Sequence, residues 1–202
     1  MQQKNLGSWN ELERTLISEA LDYIRVEVRD YLSVTDAEVS TGHLHSLSSD
    51  ALNPGVRIAL VNVGQETTTR NAPHVVRNAS GLTEYQEPPV YLNCHLMFAF
   101  DFSAYQTNMI RLSETIELFQ SKRFFDASNE RPANPFPSGL DRLVFDMCSP
   151  EFEQLNHIWG VLGGVYLPSI LYKVRLLKIQ SDETIAGPEV TSLHVQTGFK
   201  RK

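Results

Sequence analysis

Residues 89–102, PVYLNCHLMFAFDF, constrain the fold more than any other part of this chain. Their apolar side chains are nearly continuous, whereas a strand with one solvated face alternates apolar and polar residues. A continuous pattern is typical of a strand that is covered on both faces. The sequence therefore predicts that this segment is the central strand of a β-sheet. A chain of 202 residues is long enough to bury one sizeable core around it.

Three amphipathic segments supply the predicted helices. The first follows Ser8, which has Glu11 at the spacing of a capping box. The second follows the central strand. The third begins at Ser149-Pro150-Glu151, where proline stands at the first helical position and its missing N–H costs nothing. Helical spacing predicts three buried stripes: Trp9, Leu12, Leu16, Ala20, Tyr23, Ile24 and Tyr31; Tyr105, Met109, Leu112, Ile116 and Phe119; and Phe152, Leu155, Ile158, Trp159 and Leu162.

Further strands are predicted at residues 55–64, 140–147 and 166–179, with a short one within residues 34–49. In the first of these we expect Leu60 to be buried, together with the valine and isoleucine that alternate with it. The order of elements is helix, strand, strand, helix, strand, helix, strand. This order predicts an α+β fold, a small mixed or antiparallel sheet with helices packed on it.

The chain is predicted to form a single domain over residues 1–180, followed by a C-terminal tail over residues 181–202 that is a candidate edge strand. Residues 65–89 show little periodicity, which predicts a long loop. A loop of this length inside a compact domain is usually functional or disordered. We therefore interpret it as a mobile arm that becomes ordered on contact with a partner.

The charge and the composition exclude several classes of function. A formal net charge of −6 argues against a nucleic-acid-binding surface, which needs clustered lysine and arginine. The N-terminus lacks the apolar core of a secretory signal, and the most apolar run is too short and too rich in glycine to span a bilayer. We therefore expect no membrane insertion, folding in the cytoplasm, and reduced thiols at Cys94 and Cys148.

A search for chemical motifs finds no catalytic, cofactor-binding or metal-binding site. His43 and His45 would share a face if they lay on a strand, where they could hold a metal. Polar loop residues are the better interpretation, because no second pair of ligands stands at a recognisable spacing. Cys94 and His95 are adjacent on a predicted strand, so their side chains point to opposite faces and cannot form a thiolate–imidazole pair.

Four blocks of sequence, taken together, resemble a known family. They are VRIALVNVGQE, PPVYLNCHLMFAF, YQTNMIRLSETIELFQSKRFF and, most distinctively, FEQLNHIWGVLGGVYLPSILYKVRLLKI. In order and wording they resemble the tail-terminator, or cap, protein family of extracellular contractile injection systems. These systems are phage-tail-like particles that bacteria assemble to puncture target cells. The resemblance covers residues 9–179 and is weakest at residues 34–53, 65–88 and the tail.

The resemblance implies a phage tail-terminator-like fold and a structural protein without enzymatic activity or a cofactor. It implies a homo-hexameric ring on the distal end of tube and sheath, which ends polymerisation and stabilises the particle. The implied partners are other copies of the chain and the sheath and inner-tube subunits of the same particle. Assembly would take place in the cytoplasm, and the finished particle would be released or anchored to a membrane.

Interface residues are predicted from composition alone. The aromatic residues Trp159, Tyr166 and Tyr172 are suited to an interface, but burial in the core is the favoured interpretation. An alternative function is a small α+β ligand-binding or enzyme domain with a pocket between sheet and helices. That alternative predicts a monomer or dimer with a defined polar pocket. The candidates in the long loop and the tail are Arg70, Asn71, His74, Arg77, Leu193, Val195 and Phe199.

Overall fold

A computed structural model describes residues 11–44, 54–66, 75–77, 83–86, 90–162, 166–179 and 184–186. Within these ranges the chain forms helices, a short 3-10 turn and strands. The helices are α1 (Glu11–Leu32), α2 (Tyr105–Ser121) and α3 (Phe152–Leu162), and the 3-10 turn is Asp36–Glu38. The strands are β1 (Val39–Thr41), β2 (Gly55–Gln65), β3 (Val75–Arg77), β4 (Thr83–Gln86), β5 (Val90–Asp101), β6 (Phe124–Phe125), β7 (Leu143–Cys148), β8 (Ser169–Ile179) and β9 (Thr184–Ala186).

The main sheet has six strands in the order β1-β2-β5-β8-β7-β6. β1 lies parallel to β2, and every other pair in this sheet is antiparallel. The α+β prediction is therefore confirmed, with a mixed sheet. β5, the continuous apolar segment, lies between β2 and β8, as its sequence predicted.

One face of the sheet carries α1, α2 and the larger core. Leu96, Phe98 and Phe100 alternate along β5 and belong to this core, as do the buried apolar residues of α1 and α2. Phe119 of α2 is at its aromatic centre, with its ring stacked on that of Phe145 at 4.2 Å between centroids. Phe119 also contacts the rings of Phe98, Phe125 and Tyr172. The spacing of apolar residues thus puts aromatic groups from four strands around a single helix.

The opposite face carries α3 and a smaller core. Met97 and Ala99 are the β5 residues that point this way, and they lie in a cluster with Leu44, Ala59, Trp159 and Leu171. Because α3 covers this end of β5 while α1 and α2 cover its other face, residues 97–100 are buried on both sides. This two-sided cover is the reason for the continuous apolar pattern.

A second sheet has three strands in the order β3-β4-β9. Each of its strands is the next element along the chain to one of three strands of the main sheet: β3 follows β2, β4 precedes β5, and β9 follows β8. The order β3-β4-β9 therefore matches the order β2-β5-β8 in the main sheet. The predicted long loop over residues 65–89 therefore includes two paired strands, which the sequence analysis missed because each is too short to show alternation. In the tail, β9 pairs with β4 and forms an edge of this sheet.

Five side chains that the sequence analysis treated as buried are exposed: Tyr31 is 41% exposed, Leu60 37%, Tyr105 70%, Phe152 92% and Tyr166 64%. Tyr105 is the first residue of α2 and lies before its buried stripe. Tyr31 lines an open polar cleft between α1 and α2. Phe152 is the first residue of α3 and lies before the buried stripe. Leu60 stands at a bulge on the outermost long strand. The burial predicted for Trp159 and Tyr172 is confirmed.

Candidate interaction surfaces

Of the seven interface residues predicted from sequence, the structure describes one, Arg77. Arg77 ends β3, where its backbone pairs with that of Thr83, at an edge of the three-stranded sheet. The other six, Arg70, Asn71, His74, Leu193, Val195 and Phe199, lie outside the described residues. The structure therefore gives no test of whether the loop and tail candidates come together, and they stay predictions.

Exposed apolar side chains that the sequence analysis missed stand at the two ends of α3. Phe152 and Val161 are 92% and 88% exposed, near the two ends of the helix. Between them Trp159 points inward and is buried, with its ring in edge contact with that of Tyr166 at 5.7 Å between centroids. Nine residues separate Phe152 from Val161, about 180° around the helix axis, so these two side chains point to opposite sides of α3 and do not form one patch. Phe152, Val161 and Tyr166 are therefore separate exposed apolar groups at the ends of α3 and just beyond it.

Beyond α3, the same face of the main sheet is polar. Strand register brings Asn62, His95, Lys173 and Asp146 into one row across β2, β5, β8 and β7. Arg175 extends this polar strip, with its Nε 2.6 Å from an Asp146 carboxylate oxygen. Burial, and then the charge of Lys173, lower the pKa of His95 below its usual value. The strip thus holds opposite charges in pairs and keeps a neutral imidazole among them.

The polar strip meets α3 in a groove of about 500 Å³. The groove is lined by both polar and apolar side chains, among them Asn62, His95, Cys148, Gln154 and Ile158. The Glu151 N–H donates a hydrogen bond to Gln154 Oε1, at 3.2 Å, so part of the polar lining serves the start of α3. The groove therefore offers room for a side chain or loop of a partner.

The described residues show no arrangement suited to catalysis or to metal binding. Cys94 and His95 lie on opposite faces of β5, as predicted, and burial raises the pKa of the Cys94 thiol to about 11. Such a thiol is protonated at neutral pH and is a poor nucleophile. Both cysteines are free, and no group of three or more potential metal ligands occurs in the described ranges. His43 is exposed, and His45 lies outside those ranges.

The polar cleft of about 600 Å³ between α1 and α2 has a structural explanation. Glu27 is only 4% exposed, and its carboxylate accepts hydrogen bonds from Arg131 Nε and Asn134 Nδ2, both at 2.9 Å. Arg131 also contacts Asp30, and the Lys122 ammonium lies 3.6 Å from Glu27. These contacts attach the loop after β6 to α1. Since the buried charge is compensated within the chain, the cleft needs no ligand.

Comparison with known proteins gives consistent matches. The model of the Pvc16 N-terminal domain family matches residues 12–192. Among solved structures, the chain is similar to the PVC sheath/tube terminator of an extracellular contractile injection system in its extended state, with a TM-score of 0.63 and 14% identity. It is also similar to the tube-terminating cap of the anti-feeding prophage, with a TM-score of 0.59 and 16% identity. No curated protein sequence matches the chain.

The structural likeness covers nearly all of this chain but only part of each relative. It spans 92% of this chain and 64% of the sheath/tube terminator, and 88% of this chain and 60% of the anti-feeding prophage cap. At these identities the matches establish a shared fold, that of tail-terminator proteins. Within the described residues, no helix has both the length and the apolar character to cross a bilayer.

Proposed function

Because this chain belongs to the Pvc16 N-terminal domain family, we propose that it is the structural cap of a contractile injection system. It ends the polymerisation of tube and sheath at their distal end and stabilises the finished particle. The observation that carries this proposal is the structural likeness to the sheath/tube terminator over 92% of the chain. The comparisons give no support to the alternative, a small ligand-binding or enzyme domain.

We propose that the working form is a homo-hexameric ring that contacts sheath and inner-tube subunits. A ring of identical copies needs two different surfaces on each copy for its neighbours, and a cap needs a third for the structure beneath it. We assign these contacts to the exposed apolar groups at the ends of α3 and to the loop and tail candidates predicted from sequence. In this proposal the chain is a non-enzymatic part of the particle and assembles in the cytoplasm.

Deletion of the gene tests this function directly. We expect tubes and sheaths of uncontrolled or unstable length, measured on negatively stained particles by electron microscopy, because nothing ends their growth. The matched control is the same deletion strain with this chain supplied from a second locus, which should restore a narrow length distribution. Particles of normal number and length in the deletion strain would show that the chain is not the terminator.

A further inference from the structure

Phe152 is the large apolar side chain with the greatest exposure among the described residues. It is 92% exposed at the first position of α3, and exposed Glu151 and Glu153 stand on either side of it. A single exposed apolar side chain is common and needs no explanation by itself. Phe152 becomes informative because the same helix borders a groove that the chain leaves open.

This groove, where α3 meets the polar strip, lies on the flank of the helix opposite to Phe152. Gln154 and Ile158 are the α3 residues that line it. Successive residues of a helix are rotated by about 100°, so these two point about 200° and about 240° around the axis from Phe152. The side chain of Phe152 therefore points away from the groove of its own copy and cannot fill it. One flank of α3 presents an aromatic ring, and the other presents a recess.

The lining and the size of the groove suit an aromatic ring. Among the described side chains that line it there is no acid, lysine or arginine, and Val61, Ile158 and Leu171 are apolar. Burial and the charge of Lys173 lower the pKa of His95, so its imidazole is neutral at pH 7 and suited to ring contacts. The groove measures about 500 Å³, and pockets of about 300–1,000 Å³ hold drug-sized molecules. A phenylalanine ring and part of the backbone that carries it therefore fit.

The charges beside the groove complement those beside Phe152. Lys173 is the register neighbour of His95, which lines the groove. Its ammonium is 3.8 Å from the Glu66 carboxylate, whereas Arg175 Nε is 2.6 Å from that of Asp146. Lys173 is thus the more loosely paired of the two cations in the polar strip. A segment that brings carboxylates with its ring, as residues 151–153 do, places them near a cation that favours them.

We propose that successive copies of this chain join head to tail, with Phe152 of each copy packed in the groove beside α3 of the next. Because the ring and the groove occupy opposite flanks of one helix, each copy uses both at once. Such a contact is heterologous, the type that closes into a ring. The inference rests on the proposed function, in that it identifies a seam of the proposed ring. A stable interface buries about 800 Å² on each partner, so further surfaces of the two copies extend the contact.

Photo-cross-linking from position 152 tests the seam. The photoreactive phenylalanine analogue p-benzoylphenylalanine replaces Phe152, and the chain is irradiated both as purified protein and in cells that assemble particles. We expect a ladder of linked copies on a denaturing gel, because a heterologous contact links each copy to the next. Mass spectrometry of the linked peptides should place the partner positions in the segments around Asn62, His95 and Cys148, which line the groove.

The controls separate this contact from random collision and from other partners. The matched control carries the same analogue in place of Tyr105, which is 70% exposed at the first position of α2, and should give no links to the groove. Dimers without a ladder would show a two-fold contact between copies. Links from position 152 to another subunit of the particle would assign Phe152 to that partner. Either result, or no link to the groove in assembled particles, overturns the seam.

Substitutions at exposed positions test the contact without photochemistry. Phe152→Ala should weaken the association of copies about 10-fold or more, measured by native mass over a range of concentrations, because the burial of the ring is lost. Asn62→Trp fills the groove from an exposed position on β2 and should have the same effect.

A mixture of the two variants gives the sharpest result. It should form mixed dimers but no rings, because only the ring of the Asn62→Trp copy and the groove of the Phe152→Ala copy are intact. Rings that persist in both variants at wild-type concentration would refute the seam but leave the proposed function intact. Normal particle lengths after gene deletion would refute the function itself.

Discussion

The two faces of the main sheet differ in the size of the apolar core that they carry. The face under α1 and α2 holds a large core in which the ring of Phe119 contacts the rings of Phe98 and Phe145. The face under α3 holds a small core around Trp159, and then gives way to the polar strip and a groove. The large core supplies most of the stability that apolar burial provides. The opposite face is left free to carry exposed apolar groups and charges, which suits a subunit that assembles with partners.

The largest effect that distinguishes the two faces is expected for Phe119→Ala. Phe119 is 3% exposed and lies at the centre of the aromatic core, so removing its ring leaves a cavity among groups that cannot collapse freely. The free energy of unfolding should fall by about 4 kcal/mol, as measured by urea denaturation. The matched control is Phe152→Ala on α3, which should change it by less than about 0.5 kcal/mol. Equal losses for the two variants would contradict the comparison.

The sequence predicts the larger core well because its signal is local. The continuous apolar pattern of β5 and the helical stripe that ends at Phe119 are each visible within a short window. Where the prediction of burial failed, the contact that determines exposure is with residues far away in the sequence. Tyr31 continues the helical spacing of α1, yet it faces the cleft formed by residues 122–131. β3, β4 and β9 have three or four residues each, too few to show a period.

The interaction surfaces are less predictable, since exposure is a property of the packed molecule. Nothing in the local sequence separates Phe152, which is exposed, from Trp159, which is buried. The residues that line the groove are distant in sequence, and only the order and direction of the strands bring them together. The seven loop and tail candidates were chosen by composition, and their positions relative to one another depend on chain outside the described residues.

An intermediate effect is expected at Trp159, the centre of the smaller core. Trp159→Ala should lower the free energy of unfolding by about 3 kcal/mol, which is less than Phe119→Ala because the cluster around it is small. Trp159→Phe should cost only about 1 kcal/mol, because the buried indole Nε1 has no hydrogen-bond partner among the described residues and its loss leaves no acceptor unpaired. Chemical denaturation of both variants measures this. A Trp159→Phe variant as unstable as Trp159→Ala would reveal a partner for Nε1.

The smallest expected effect concerns the polar strip and is on the pH dependence of the free energy of unfolding. Burial and the neighbouring Lys173 lower the pKa of His95, so the unfolded chain binds a proton at this residue more readily than the folded chain does. The stability that the neutral His95 side chain contributes is therefore complete above about pH 6.5, the ordinary pKa of histidine. It is lost as the pH falls from there through the lower pKa that His95 has in the folded state.

In the His95→Gln variant the free energy of unfolding should therefore fall less between about pH 6.5 and pH 5 than it does in the wild type. Carboxyl groups ordinarily titrate below this pH range. In the strip, His95 has Asn62 on β2 and Lys173 on β8 as its register neighbours, with Asp146 on β7 one strand further away. Of these, Lys173 lowers the pKa of His95. His157→Gln, at an exposed position on α3, is the control and should leave the slope unchanged. Urea denaturation at several pH values measures both. If His95→Gln keeps the wild-type slope while His157→Gln removes it, the acid sensitivity belongs to the outer side of α3 and not to the polar strip.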